Sequence, residues 1–353
     1  MAENLTKPKK ERLLYIDALR GLAMLMVVFV HVEIFSFFNF THTTPLMYIF
    51  SAVHMPLFFF ISGLCIYNPD KKYGFTKVKN DFLRLIIPAV VVGLLYTYFK
   101  KGEDCFFFLA NSMKAGYWFT ISLFEVLLIY YVINNLTKNN NKAFMIVLWT
   151  IAGLLYLLKL PFKMVGCLET LGNYMCLHQT FNFFVFFALG ITASKYKSKT
   201  HRLLEDQGFG AAVLLLFSIV SFVVFGLVPK YAGSSVVWKV LDTFGETLVG
   251  LFGICLLYVI FYKIQSVFNS SNRIAKSLVF VGNNTLAIYL IHYFFLPVLP
   301  QLGNFLLGYS SLMMELVLGV AISVIVLSIS VLINRVVSAT SPFIARILLG
   351  ERR

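Results

Sequence analysis

Charged residues are scarce in this chain of 353 residues. Asp, Glu, Lys and Arg together make up 13% of the sequence, whereas 59% of the residues are hydrophobic and the mean hydropathy is +0.81. Soluble globular domains carry about 25% charged residues, because their surfaces face water. The shortage of charge therefore excludes an ordinary soluble protein and indicates a polytopic membrane protein.

Acidic residues are scarcer than basic ones, with 16 Asp and Glu against 30 Lys and Arg, so the net charge is +14. A basic balance can indicate a nucleic-acid ligand, but the positions of these charges favour another explanation. With a cytoplasmic N-terminus and ten spans, 23 of the 30 cations fall in inner segments and 7 in outer loops. Lys and Arg accumulate on the cytoplasmic side of membrane proteins. We therefore expect both termini in the cytoplasm and no nucleic-acid partner.

The chain also has few cysteines and none in a C-x-x-C pair, so neither a structural zinc site nor a thiol redox site is suggested. Cys167 and Cys176 fall in a predicted outer loop, 160–179. An oxidising compartment on that side would permit a disulfide between them. Residues 1–12 are too charged for the apolar core of a signal peptide. With no soluble appendage or low-complexity segment, we expect one integral membrane domain over residues 1–353.

Ten apolar stretches approach the length of about 20 residues that a membrane-spanning helix needs. They lie near 13–38, 46–67, 82–99, 117–135, 142–159, 180–195, 208–228, 240–264, 278–299 and 313–336. The predicted fold class is therefore all-α. We expect a bundle of about ten transmembrane helices in a multi-pass protein of the inner or plasma membrane, in contact with membrane lipids.

The first span contains three ionisable residues, Asp17, Arg20 and His31. Such residues are costly inside a membrane and are usually functional. Arg20 and His31 are eleven residues apart, which places them within about 20° of one helix face and roughly 16 Å apart in depth. Asp17 precedes Arg20 by three residues, where the two can pair. A cytoplasmic anion could therefore meet Arg20 while a reacting group lies at His31.

Other spans contain polar residues at similar depth. His54 precedes Pro56, which removes a backbone donor, so a simple packing kink is an alternative to function here. Glu125 is predicted to be neutral or paired. His292 is a third histidine near mid-membrane. These groups raise the alternative of a metal site, but no single helix has the i,i+4 histidine pair that would support it, and no metal is expected.

Basic residues cluster where the second inner segment meets the third span. Arg84 lies at the cytoplasmic mouth of that span, and Lys77 and Lys79 precede it. An arginine at a membrane edge is often a snorkelling anchor. Together with Arg20, these residues would also form a basic collar. A guanidinium group suits phosphate because its planar fork binds two oxygens at once.

Six short motifs follow one another along the chain. They are Y-x-D-x-x-R-G at 15–21, H-x-P-L-F-F-F-I-S-G at 54–63, R-L-x-x-P at 84–88, W-F-x-x-S-L-F at 118–124, F-A-L-G at 187–190 and G-N-N-T-L-A-I-Y-L-I-H at 282–292. With the spacing of Arg20 and His31, their order resembles acyltransferase family 3, in the stand-alone form without the extracytoplasmic SGNH-type domain of some relatives.

The resemblance implies an enzyme that takes an acyl group, commonly acetyl, from cytoplasmic acyl-CoA to a hydroxyl of a surface carbohydrate or its lipid-linked precursor. It also implies that Arg20 and His31 form the family's arginine-x10-histidine pair, with the histidine essential. Family members often have a second arginine where this chain has Asp81. Binding of the donor phosphates, here of acetyl-CoA, would then depend on Arg84 with Lys77, Lys79 or Arg20.

The residues themselves fit this chemistry, since acyl transfer to an alcohol needs a base and imidazole titrates near neutral pH. We predict that His31 is that base, or an acyl carrier. Asp17, His54 and Glu125 complete the candidate catalytic set, with His54 or Glu125 as groups that orient His31. Glu33 is a weaker candidate because it lies two residues further along the helix and points elsewhere.

Two alternatives are open at this point. A polytopic transporter of a surface-polysaccharide intermediate or an acyl group would also have buried ionisable residues, although the absence of a visible internal repeat argues against it. Another class of membrane acyltransferase with a lone catalytic histidine is the nearest enzymatic alternative. The sequence leaves open the acceptor, the choice of acetyl or succinyl, and whether the protein forms a homo-oligomer.

Overall fold

The structure is a computed structural model that describes residues 13–38, 44–69, 71–137, 140–164, 166–227, 236–309 and 311–350. The predicted polar lead at 1–12 and residues 39–43 of the first outer loop lie outside these ranges. Every regular element in the described ranges is helical, and they contain no strand. The predicted all-α class is therefore confirmed.

Helices long and apolar enough to cross a membrane recur along the whole chain. Among the described residues there are eight, at Leu14–Ser36, Pro45–Ile66, Phe75–Lys101, Trp118–Leu136, Asn141–Lys159, Gln207–Leu227, Phe244–Lys263 and Leu312–Thr340. Two bent pairs of helices raise the number to ten if each pair is one span. Each of these ten segments overlaps one of the spans predicted from hydropathy.

The two bent pairs correspond to the sixth and ninth predicted spans. Gly166–Met175 and Leu177–Lys195 meet at an angle of 66°, and Arg273–Asn283 and Thr285–Phe295 meet at 72°. The segment predicted as an outer loop at 160–179 therefore contains a helix. Cys176 lies at the first bend, and its thiol and that of Cys167 are both free.

The helices are numbered here in chain order. They are α1 (Leu14–His31), α2 (Pro45–Ile66), α3 (Phe75–Tyr96), α4 (Cys105–Ala110), α5 (Trp118–Leu136), α6 (Asn141–Met164), α7 (Gly166–Met175), α8 (Leu177–Lys195), α9 (Lys197–Glu205), α10 (Gln207–Ser221), α11 (Val236–Lys263), α12 (Gln265–Asn269), α13 (Arg273–Asn283), α14 (Thr285–Ile291), α15 (Pro300–Tyr309), α16 (Leu312–Thr340) and α17 (Pro342–Leu349). Short π-helical turns extend α1 and α3, and a 3₁₀ turn, His292–Phe295, extends α14.

Helix α1 lies at the centre of the bundle and packs against α2, α13 and α16. Its contact with α13 is close enough to require glycine on both sides. A Cβ atom on Gly21 would meet the Leu278 carbonyl, and one on Gly282 would meet the Asp17 carbonyl. Small residues let backbones approach in this way in membrane proteins, where apolar burial does not drive helices together.

Helices α2 and α8 form a second close contact. A Cβ atom on Gly63 would meet the Phe187 carbonyl, and one on Gly190 would meet the Phe60 carbonyl. Helix α2 also packs against α1, so the two helices lie side by side in the interior, and each has a glycine-mediated contact with another helix. Side chains of α1 and α2 that point away from these close contacts line the cavity described in the next section.

Candidate active site

A cavity of about 620 Å³ lies between α1, α2, α3, α5 and the α13–α14 bend. Its volume falls within the range of roughly 300–1,000 Å³ that is usual for small-molecule sites. Along α2 it extends from Met55 to Ile66, eleven residues or about 16 Å of helix. The cavity is therefore long as well as deep, and its two ends differ in chemistry.

One end of the cavity is basic. Arg20, Lys77 and Arg84, on α1 and α3, all contribute to its lining, and this is the predicted cytoplasmic end. Lys79 is exposed and does not line the cavity. It follows Lys77 by two residues, which turns it about 200° around α3. Three of the four residues predicted to bind the donor are thus brought together, and Lys79 is left outside.

Two carboxylates accompany the three cations. Arg20 Nη1 lies 3.5 Å from Asp17 Oδ1. Lys77 forms an ion pair with Asp81, which also accepts a hydrogen bond of 2.6 Å from the Tyr131 hydroxyl and lines the cavity. Asp81, the residue at which this sequence departs from the family pattern, therefore holds one of the cations of the basic end.

The other end of the cavity lies deep in the bundle, at Val27, Phe119, Thr120 and Tyr289. The Tyr289 hydroxyl accepts from the Phe119 N–H at 3.1 Å and donates to the Gly116 carbonyl at 2.7 Å. Because Val27 is four residues before His31 on α1, the cavity ends about 6 Å of helix short of that histidine.

His31 is part of a hydrogen-bonded cluster just beyond the deep end. Its Nδ1 lies 2.8 Å from Nε2 of His292, and its Nε2 lies 3.0 Å from the Tyr293 hydroxyl. Nδ1 of His292 lies 3.0 Å from the carbonyl oxygen of Ile288. The two imidazole rings are nearly parallel, with an interplanar angle of 10°. Nitrogen atoms on both sides of the His31 ring thus have defined partners.

These contacts assign the tautomers of the two neutral histidines. The Ile288 carbonyl can only accept, so Nδ1 of His292 carries the proton and its Nε2 is an acceptor. Nδ1 of His31 must then donate to His292, which leaves the lone pair of His31 on Nε2. The Ile288 carbonyl therefore orients the His31 ring through the His292 ring, since a hydrogen bond at one ring nitrogen sets the role of the other.

A family model described as an acyltransferase domain matches residues 13–335, nearly the whole chain. The chain belongs to acyltransferase family 3. It is a multi-pass membrane acyltransferase, and the resemblance seen in its motifs is confirmed. No curated protein and no solved structure matches the chain.

Of the other predicted catalytic residues of this acyltransferase, Asp17 lies away from His31, whereas His54 is close enough to interact electrostatically with it. Asp17 is beside Arg20, fourteen residues or about 21 Å of helix from the histidine. His54 directs Nδ1 to the carbonyl of Phe50 in its own helix, at 2.6 Å. None of these contacts supports the prediction that His54 orients His31.

Glu125 belongs to the contact between α5 and α8, where it accepts a hydrogen bond of 2.5 Å from the Thr180 hydroxyl. The α5 side chains that line the cavity, Thr120, Leu123 and Leu127, share a different face of the same helix. Glu125 therefore turns away from both the cavity and the histidine cluster. The histidine that is hydrogen-bonded to His31 is His292.

Sequence reasoning recognised His292 as a mid-membrane histidine but did not pair it with His31. The signal was present in the motif that ends G-N-N-T-L-A-I-Y-L-I-H. What the motif does not reveal is the bend of 72° at its start, which redirects α14 and brings His292 to α1. Tyr293 is the second partner of His31. Nothing in the sequence marks it as a functional residue except its position next to His292.

The alternative of a metal site finds no support in the part of the chain that the structure describes. There, no group of three or more His, Cys, Asp or Glu side chains is arranged so that it could hold a metal ion. His31 and His292 bond to each other, and His54 bonds to a backbone carbonyl. The histidines of this acyltransferase are thus arranged for hydrogen bonding.

Proposed function

We propose that this acyltransferase moves an acetyl group from cytoplasmic acetyl-CoA to a hydroxyl of a cell-surface carbohydrate or its lipid-linked precursor. The observation that carries the proposal is one cavity with a basic mouth at Arg20, Lys77 and Arg84 and a deep end one helical turn from His31. The membrane would be the inner or plasma membrane, in which the mouth faces the pool of acyl-CoA.

The residues of the cavity fit this donor. Guanidinium groups bind phosphate oxygens in pairs, so Arg20 and Arg84 would hold the phosphates, with Lys77 released from Asp81 as a third cation. Apolar side chains such as Met24, Phe58 and Leu123 line the rest of the cavity and suit a long, weakly polar arm. Acetyl-CoA supplies a thioester, whose acyl carbon is open to attack by an alcohol.

His31 supplies the base. Once the acceptor hydroxyl replaces Tyr293 as the hydrogen-bond donor to Nε2, the Nε2 lone pair would take its proton, while the hydroxyl oxygen bonds to the acyl carbon and the carbon–sulfur bond breaks. His31 would then return the proton to the departing thiolate, so that atoms and charge balance. Proton transfer of this kind contributes about 10²- to 10⁴-fold to a rate. If His31 instead carries the acyl group, the same nitrogen forms the bond, and mass spectrometry would find an acetylated His31 peptide.

The test measures binding and transfer separately. Acetyl-CoA binding to purified protein is compared for wild type and the variants Arg20→Ala, Arg84→Ala, His31→Ala and Lys79→Ala, and surface-glycan acetylation is measured in cells that express each. Arg20→Ala and Arg84→Ala should weaken binding at least tenfold, as expected for a lost charged hydrogen bond. Lys79→Ala, the matched control outside the cavity, should bind within twofold of wild type.

His31→Ala should bind acetyl-CoA normally and leave the glycan unmodified. Full modification by His31→Ala would overturn the assignment of the base and favour the transporter alternative. Replacement of acetyl-CoA by succinyl-CoA in the same assay shows which acyl group the enzyme transfers.

A further inference from the structure

The hydroxyl of Thr120 is an unused hydrogen-bond donor at the deep end of the cavity. Thr120 is fully buried, with 0% of its surface exposed. Its Oγ1 has no hydrogen-bond partner among the described residues, and the residue lines the cavity. A buried hydroxyl without a partner is costly, about 1–3 kcal/mol where it is desolvated. Such a group in a cavity calls for an explanation.

Several hydroxyls in the other helices of this protein have partners, whereas those of Ser36, Ser51 and Ser221, like that of Thr120, have none among the described residues. A helical Ser or Thr usually donates to the carbonyl four residues earlier. Thr97 donates to Gly93 at 2.8 Å, and Ser62, which lines the same cavity, donates to Phe58 at 2.8 Å. Thr120 departs from a rule that these residues obey.

The physical reason lies in the carbonyl that Thr120 would use, that of Gly116. The Tyr289 hydroxyl donates to this oxygen at 2.7 Å, and the Tyr293 hydroxyl lies 3.3 Å from it. Tyr289 occupies one of the two lone pairs of this oxygen, and the Tyr293 hydroxyl stands beside it while its single proton is directed to His31 Nε2. Gly116 also precedes α5, which begins at Trp118, so its carbonyl lies outside the regular helix. Gly116 has φ 108°, a conformation that favours glycine, in the turn that presents this carbonyl to the tyrosines.

The same two tyrosines connect Thr120 to the reacting group. Tyr293 is the partner of His31 Nε2, and Tyr289 lines the cavity beside Thr120. The Thr120 hydroxyl is thus left as a hydrogen-bond donor at the end of the cavity nearest His31. A donor placed there would meet the acyl end of a molecule whose phosphates lie at the mouth of the same cavity.

We infer that the Thr120 hydroxyl is a binding site for the acyl carbonyl of the donor thioester. This inference rests on the proposed function and adds a residue to it. The hydrogen bond holds the carbonyl in the bound donor and strengthens as its oxygen gains negative charge during attack by the acceptor hydroxyl. The proton and the thiolate follow the course given above, so Thr120 donates a hydrogen bond and transfers no proton.

The test uses full-length purified enzyme and three ligands: acetyl-CoA, CoA, and the thioether S-ethyl-CoA, which has a methylene in place of the carbonyl. Thr120→Val keeps the volume and removes the hydroxyl. It should weaken acetyl-CoA binding about fivefold and leave the affinities for CoA and S-ethyl-CoA within twofold of wild type. The transfer rate at saturating donor should fall about a hundredfold, as when an oxyanion donor is removed. Thr120→Ser should retain most of the rate.

Thermal unfolding of the ligand-free enzyme provides the structural control. Thr120→Val removes a hydroxyl without a partner and should not lower the unfolding temperature. Thr97→Val, the matched control, removes a hydroxyl that bonds to Gly93, and should lower that temperature without changing the preference for acetyl-CoA over S-ethyl-CoA. If Thr120→Val does not fold, Thr120→Ala and Thr120→Ser give the same comparison.

Two results would overturn the inference: transfer by Thr120→Val at the wild-type rate, or an equal loss of affinity for all three ligands, which would place the hydroxyl against the CoA arm. Failure of the wild-type enzyme to bind acetyl-CoA or to transfer its acetyl group would be a different result. It would remove the proposed function itself.

Discussion

His31 Nδ1 lies 2.8 Å from His292 Nε2, a contact between residues 261 positions apart in the chain. The contact joins the first and ninth spans and, through the Ile288 carbonyl, determines which nitrogen of His31 carries the lone pair. The candidate base is therefore defined by two histidines from opposite ends of the chain. We propose that His292 acts through His31 as a positioning residue.

This arrangement predicts the behaviour of substitutions at His292. His292→Leu removes the acceptor for the His31 Nδ1 proton, so the ring can rotate or adopt the other tautomer. We expect transfer to fall by about 10²-fold, within the range of general-base contributions, with acetyl-CoA affinity unchanged. His292→Gln keeps an oxygen that can accept this proton and should recover a measurable part of the rate.

The measurement is the initial rate of acetyl transfer together with donor affinity for both variants. Equal rates for His292→Leu and His292→Gln would show that the residue only fills space. A loss of donor affinity in His292→Gln would place the residue in the donor site instead.

Much of this architecture could be predicted from the sequence because it is encoded locally. Apolar runs locate the spans, and helical periodicity places residues on faces. Arg20 and Arg84 were predicted to meet at one basic mouth, and both line the cavity. The same periodicity also explains why Lys79 lies outside the cavity, since it follows Lys77 by two residues and the two cannot share a face of α3.

Other features depend on contacts between distant segments. The hydrogen bond from Thr180 turns Glu125 toward α8, and the bend after Asn283 turns His292 toward α1. Neither follows from a pattern within one helix. Hydropathy indicated that these polar residues needed partners, but the partners are set by helix packing, which periodicity does not describe.

Asp81 offers a test of the charge balance at the cavity mouth. It pairs with Lys77 and accepts from Tyr131. Asp81→Asn removes a negative charge from the mouth, breaks the ion pair with Lys77, and keeps an oxygen for the tyrosine. We expect acetyl-CoA to bind at least about twofold more tightly, since removal of a buried negative charge at the mouth strengthens the attraction of the remaining cations for phosphate. Titration calorimetry at low and high salt checks this, and the gain should shrink as salt screens the phosphates. Weaker binding at low salt would contradict the proposed phosphate site.

At Glu125 we predict that a substitution has little effect on donor binding or transfer. Because it contacts Thr180 on α8 and faces away from the cavity, Glu125→Gln should leave both donor affinity and the transfer rate within about threefold of wild type. The amide oxygen can still accept from the threonine. Glycan acetylation in cells and transfer by purified enzyme both report on this variant. A loss of rate comparable with that of His31→Ala would return Glu125 to the catalytic set.

The contact between α1 and α13 links packing to donor binding. A Cβ atom on Gly282 would meet the Asp17 carbonyl, so Gly282→Ala must separate the two helices. Overpacking of this kind costs about 1–3 kcal/mol. Asp17 pairs with Arg20, and both Gly282 and Arg20 line the cavity. We therefore expect a lower unfolding temperature together with weaker acetyl-CoA binding.

Gly153, on α6, is the matched control because a Cβ atom there would meet no atom within 4 Å. Gly153→Ala replaces glycine within a helix and should be neutral or stabilising by up to about 1 kcal/mol, with donor affinity unchanged. Thermal unfolding in detergent, with and without acetyl-CoA, compares the two variants. If Gly282→Ala lowers stability but binds the donor as wild type does, the helix contact supports the fold without setting the position of Arg20.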